Sequence, residues 1–132
     1  MSAQTACMKQ RIVNDNKEEI VQQVVAAMQE KKAKDIVSLD LTGLPDAVTD
    51  CFVICHASSK TQAGAIFDFV VEKVTKNCGE HPYHREGYEN AEWILIDYVN
   101  VVAHIFLEET RRFYNLEGLW ADAVSTSYPA DK

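Results

Sequence analysis

The stretch Trp93-Ile94-Leu95-Ile96-Asp97-Tyr98-Val99-Asn100-Val101-Val102-Ala103-His104-Ile105-Phe106-Leu107 decides the fold. Two apolar runs, Trp93 to Tyr98 and Val101 to Leu107, are joined only by Val99-Asn100, and so tight a connection makes them an antiparallel hairpin. Alternation puts Trp93, Leu95 and Asp97 on one face and Ile94, Ile96 and Tyr98 on the other. Upstream, Cys51-Phe52-Val53-Ile54-Cys55 is apolar at every position, as expected of a strand covered above and below. Ser58-Ser59 then caps a helix over 60–77, whose stripe of Ala63, Ile66, Phe67, Val70, Val71 and Val74 faces the core. Cys78-Gly79 ends it, glycine suiting the left-handed position.

Working outward, a helix is expected from Asn14 or Asp15, with Ile20, Val21, Val24, Val25 and Met28 on one face. Ile36-Val37-Ser38-Leu39 reads as a short strand closed by Thr42-Gly43-Leu44-Pro45. His81 to Arg85 reads as a short edge strand, the setting in which Pro82 is tolerated. After the hairpin, Glu108 to Tyr114 starts a last helix and Leu116 to Trp120 adds another turn. The order α-β-β-α-β-β-β-α predicts an α/β (α+β) fold with a mixed, mainly five-stranded sheet flanked by helices. One domain over 14–120 is expected, between a flexible lead of 1–13 and a flexible tail of 121–132 that has little to bury.

Composition agrees with a globular chain. The 132 residues are 47% hydrophobic and 25% charged, with 5 Gly and 3 Pro. The net charge of −7 leaves no basic surplus for a free-standing nucleic-acid binder and favours a basic protein partner. No run reaches the roughly 20 apolar residues that span a bilayer, and Met1 to Cys7 lacks the apolar core of a secretory signal. Cys7, Cys51, Cys55 and Cys78 form no CxxC pair, so a cytoplasmic, reducing setting is expected.

The candidate chemistry is thin. Ala57-Ser58-Ser59-Lys60 follows a strand as a phosphate-binding helix start would, yet it lacks the glycines that let backbone approach a phosphate. Metal-dependent nucleotidyl transfer needs carboxylates converging on magnesium, and only Asp97 and Asp40 stand near strand ends. His56, His81, His84 and His104 lack the spacing of a zinc site, and His104 reads as a core imidazole bonded to a neighbour. No metal and no cofactor is expected. Aromatic residues are enriched where protein surfaces bind one another. Phe113, Tyr114, Leu116, Leu119 and Trp120 are too many for one short helix to hide, so Tyr114 and Trp120 read either as partner anchors or as core packing; Trp93 shares its face with Asp97, as on a partly apolar, partly charged surface, or else packs under the final helix.

These residues also resemble a known family. Asp35-Ile36-Val37 through Asp40, Thr49 to Cys55, Glu86-Gly87, the hairpin, and Arg111-Arg112-Phe113-Tyr114-Asn115-Leu116-Glu117-Gly118-Leu119-Trp120 are similar to the signature of the Iojap family, the ribosomal silencing factors RsfS. The resemblance spans about 15–123. It implies a nucleotidyltransferase-like core without catalysis. It also implies binding to the large ribosomal subunit through ribosomal protein L fourteen, which blocks association with the small subunit and represses translation under nutrient limitation. A part in large-subunit maturation and a homodimer are implied as well. Carried over, the partner-binding positions are Trp93, Asp97, Tyr98, Tyr114, Leu116 and Trp120. Two departures stand out. Ala57-Ser58-Ser59 replaces Gly-Thr-Ser, and Asp97-Tyr98-Val99-Asn100 replaces Asp-Tyr-Gly-Asp, putting valine where the turn favours positive φ. The second reading is a nucleotide-dependent enzyme on the same fold.

Overall fold

Helix α1 (Lys17–Glu30) buries Ile20, Val24, Val25, Ala27 and Met28, the stripe that its spacing gives. The structure is a computed structural model that describes residues 17–129. The lead of 1–13, the Asn14/Asp15 cap and Cys7 lie outside the described residues. Strand β1 (Lys34–Asp40) follows, then β2 (Cys51–Ala57) and α2 (Lys60–Cys78). Ser59 caps α2 by accepting from the Gln62 amide, and Gly79 closes it at φ 69° with its N–H on the Thr75 carbonyl. Then come β3 (His84–Glu86), β4 (Trp93–Asp97), β5 (Val101–Leu107), α3 (Glu108–Tyr114), the single turn α4 (Leu116–Leu119) and β6 (Val124–Tyr128).

The sheet order is β3-β4-β5-β2-β1-β6. β2 and β5 run parallel, in register from Cys51↔Val101 to Ala57↔Leu107, because α2 carries the chain over the sheet between them. The other described pairs are antiparallel, including the expected β4–β5 hairpin with Trp93 opposite Phe106. α1 and α2 pack on one face and share a core with Val53, Cys55, Ile94, Ile96, Ala103 and Ile105. The other face has a smaller cluster, Leu39, Leu41, Ile54, Phe106 and Leu116, under α3 and α4. Among the described residues no helix is long and apolar enough to cross a membrane.

Three expectations are corrected. The sheet has six strands, not five, and part of the expected tail is the sixth. Val124–Tyr128 pairs antiparallel with β1 from Ile36↔Tyr128 to Asp40↔Val124. It is tied down where the Tyr128 hydroxyl meets Ser38 Oγ at 3.0 Å and Gln29 Nε2 donates to the Pro129 carbonyl at 2.8 Å. An edge strand is held by its backbone ladder, so having little to bury did not make it a tail. The first edge strand also sits later than expected, at His84–Glu86. Cys51 and Cys55 are buried in the larger core, and burial pushes their thiols up to about 11 and about 12, so they act as small hydrophobes.

A candidate partner-docking face

The second face of the sheet is only partly roofed, and aromatic rings run across the opening. Phe113 stands edge-on to Tyr114 at 5.0 Å, Tyr114 packs on Trp93 at 4.9 Å, and Trp93 lies 6.0 Å from His104. His104 meets Phe52 edge-on at 4.5 Å, and Phe52 meets Trp120 at 6.1 Å. The pleat explains the alignment: Trp93, Leu95 and Asp97 on β4 stand opposite Phe106, His104 and Val102 on β5, all on one face. Phe113 is 80% exposed, and Leu119, next to Trp120 in the chain, is 74% exposed.

Trp93 holds this ribbon in place. Its indole N–H donates to His104 Nδ1 at 3.0 Å, which fixes the neutral tautomer with the proton on Nε2. Burial pushes the His104 imidazole down to about 3. Trp93 is half-buried, so packing under the final helix and surface exposure both hold for it: Tyr114 covers one part and the rest remains open.

The six expected partner-binding residues divide. Trp93, Asp97, Tyr114 and Trp120 are brought together around the open face. Tyr98 and Leu116 are not. Tyr98 is 4% exposed in the core beneath α1 and α2, where period-two alternation sends it, and burial pushes its phenol up. Leu116 is 8% exposed and packs in the smaller cluster. As folded, neither offers surface to a partner. The cause at Leu116 is Asn115, whose left-handed φ of 49° ends α3 and turns α4 so that Leu116 points in and Leu119 out. Phe113, already counted among the aromatics too many to hide, was left out of the partner-binding set, and the signal for its exposure was asparagine directly after Phe113-Tyr114. Arg111 was also missed. It is buried and donates to Glu117 Oε2 at 2.6 Å, to His56 Nδ1 at 3.0 Å and to the Lys34 carbonyl at 3.4 Å. It thereby ties α3 and α4 to the sheet.

The hairpin corner takes the positive-φ geometry that a glycine would favour. Val99 has φ 79°, and the Asn100 N–H donates to the Tyr98 carbonyl at 3.0 Å, a strained positive-φ γ-turn. Three contacts enforce it. Asp97 Oδ1 accepts from the Val99 N–H at 2.7 Å, Thr49 Oγ1 donates to the Val99 carbonyl at 2.8 Å, and the Tyr98 N–H donates to the Val101 carbonyl at 2.8 Å. Val99→Gly should therefore stabilise the protein by about 1 kcal/mol, the strain of a β-branched residue at positive φ less glycine's entropy. Urea denaturation checks this, and a lower midpoint would show that the valine is unstrained.

The groups considered for catalysis sit apart. The α2 start is sealed rather than open to a phosphate: Gln62 Oε1 accepts from the Ser58 N–H and hydroxyl, and Gln62 Nε2 donates to the Lys31 and Lys32 carbonyls. Asp97 and Asp40 stand on opposite faces with β5 and β2 between them. Three strand spacings separate them by about 14 Å, against about 4 Å between the metals of a two-metal site. Asp40 accepts instead from the Thr42 hydroxyl and amide, which lower its carboxyl below the ordinary value. Among the described residues no three His, Cys, Asp or Glu side chains are grouped to hold a metal ion.

Comparison with known proteins places this arrangement. Residues 14–132 match the family model described as "Ribosomal silencing factor during starvation". The chain is 42% identical to ribosomal silencing factor RsfS of Halalkalibacterium halodurans over 80% of this chain and 89% of that protein. It is 39% identical to RsfS of Bacillus subtilis over 82% and 90%. A crystal structure of a Chromobacterium violaceum protein superposes with TM-score 0.74 at 32% identity, covering 79% of this chain and 85% of that one. With the family model spanning nearly the whole sequence and the fold shared, the chain belongs to the RsfS family of ribosomal silencing factors.

Proposed function

We propose that this protein is a cytoplasmic, non-catalytic ribosomal silencing factor. It docks its open sheet face on ribosomal protein L fourteen of the large subunit, blocks joining of the small subunit and so represses translation when nutrients are scarce. The observation that carries this reading is the ring ribbon from Phe113 to Trp120, with Phe113 and the neighbouring Leu119 standing in solvent as large apolar side chains on a chain of net charge −7. Such a patch marks a protein-binding surface. Acids lie beside it: Asp97 on β4, on the face of Trp93 and His104, and Glu109 one turn before Phe113 on α3. Acidic flanks around an aromatic centre steer a basic partner and then exclude water from the contact. Tyr98 and Leu116 contribute from beneath, by holding the hairpin and α4.

Trp93→Ala is a poor probe, because it also strips buried His104 of its hydrogen bond. Phe113→Ser with Leu119→Ser touches only exposed groups, so folding stability should stay within about 0.5 kcal/mol. Retention of this double variant on isolated large subunits in co-sedimentation should fall at least tenfold, equivalent to about 1.4 kcal/mol of binding. Isolated subunits mixed with excess wild type should give fewer coupled ribosomes on a gradient, and the variant should restore coupling. Unchanged coupling with saturating wild type defeats the proposal.

A further inference from the structure

The two edges of the sheet are built differently. β3 is three residues long and carries His84, Arg85 and Glu86, the short charged edge that discourages strand addition. β6, at the opposite edge, runs Val124-Ser125-Thr126-Ser127-Tyr128 with no charge and no proline, and all of it except Tyr128 is exposed. Among the described residues no strand pairs with its outer side. Beside it a groove of about 340 Å³ runs between α1 and β6, lined by Val21, Val124, Thr126 and Tyr128. An uncharged open edge of this kind is one that folded proteins cover.

We propose that the chain covers this edge itself: Lys9-Gln10-Arg11-Ile12-Val13, ahead of α1, pairs antiparallel with β6 as a further strand and closes the groove. Direction is the first support. Lys17 and Glu18 in the first turn of α1 line the groove with Val124, while Gln29 at its other end donates to the Pro129 carbonyl just past β6. α1 and β6 thus run the same way, and the chain enters α1 at the Val124 end of the edge. A segment traced back along the edge from there is antiparallel to β6. Reach is the second support. Asn14-Asp15-Asn16 are turn-forming residues. Three residues span about 10 Å, about the width of a helix, so the chain can step from α1 to the sheet edge. Charge is the third. The groove sets Lys17 against Glu18, Asp40 and Asp50, whereas residues 1–13 carry Lys9 and Arg11 and no acid, on a chain of net charge −7. Pattern is the fourth. Alternation places Lys9, Arg11 and Val13 on one face. With Val13 opposite Val124 and Arg11 opposite Thr126, that face is the groove's, since Val124 and Thr126 line it. Valine then packs on valine, and the two cations meet the acids. Trp93, on β4, is separated from β6 by three strands, so the docking face stays open.

The test is NMR of the labelled full chain. Contacts between Arg11 and Thr126 and between Val13 and Val124 should appear in NOE spectra. In an equal mixture of labelled and unlabelled chains, a filter that passes only contacts between chains should remove them. The β6 amides that point away from β1 should exchange at least tenfold more slowly in wild type than in the double variant Lys9→Glu with Arg11→Glu, which turns the cations into acids. Both substitutions fall outside the described residues. The amides of β2, at the centre of the sheet, should therefore stay protected and show the variant folded. Absence of those contacts, or exchange at β6 that the double variant leaves unchanged, overturns the proposal. Contacts that survive the filter would assign the edge to a second copy and overturn it too.

Discussion

Gly87→Ala should lower the unfolding free energy by roughly 3–4 kcal/mol, among the largest losses from any one-carbon change in this chain. A Cβ built on Gly87 falls 2.1 Å from the Trp93 carbonyl oxygen and 3.1 Å from its carbonyl carbon. Those are backbone atoms of β4, so no side chain can swing aside. Gly87 also has φ 84°, and its carbonyl accepts from the Ala91 N–H at 2.8 Å, so the β3–β4 connection cannot easily turn another way. Gly79→Ala is the matched control. It has φ 69° with nothing within 4 Å of its Cβ position, so it should lose only the conformational part, about 1 kcal/mol. Urea denaturation of both variants separates the terms, and equal losses would show that β4 yields to the intruding methyl. Because the obstruction is at Trp93, Gly87→Ala should also displace the indole from His104.

Stability should also fall as the solution is acidified below the ordinary histidine range. His104 is pushed from 6.5 down to about 3 by burial, and His56 is lowered by burial and then by the charge of Arg111. A histidine with a depressed folded value takes up its proton first in the unfolded chain. Its contribution is therefore complete above about 6.5 and is lost as the pH falls toward the folded value. His104 alone should remove about 2 kcal/mol between about pH 7.5 and about pH 5. His56 acts with the same sign, since a protonated ring can no longer accept from Arg111 Nη1. Asp40, lowered by Thr42, contributes with the same slope only nearer the ordinary carboxylate value of 3.8. Thermal melts across that range check the slope. His104→Leu should start lower at neutral pH and fall less steeply, whereas parallel curves for variant and wild type would place the slope elsewhere.

Much of this fold was legible wherever one segment carries its own periodicity. The hairpin, the apolar β2 and the striped α2 all formed within a residue or two of the expected bounds. β6 was not legible, because its determinant is pairing with β1, far away in the chain. The docking face was half legible. Alternation already sent Tyr98 to the face opposite Trp93, and the resemblance alone kept both in one site. Leu116, expected at the partner surface, turns into the core and Leu119 turns out because a single left-handed Asn115 re-aims the helix that follows. Arg111 could not be read from spacing, since Glu117, His56 and Lys34 approach it from three separate elements.

The ribbon of rings has one more consequence. The chain contains 2 tryptophans, and both lie in that ribbon, Trp93 toward one end and Trp120 at the other. Tryptophan emission of the unlabelled protein, excited above the tyrosine band, thus arises from the face that would touch a partner. Contact there would dry the indoles and shift their emission to shorter wavelength, so occupancy can be titrated with no dye attached.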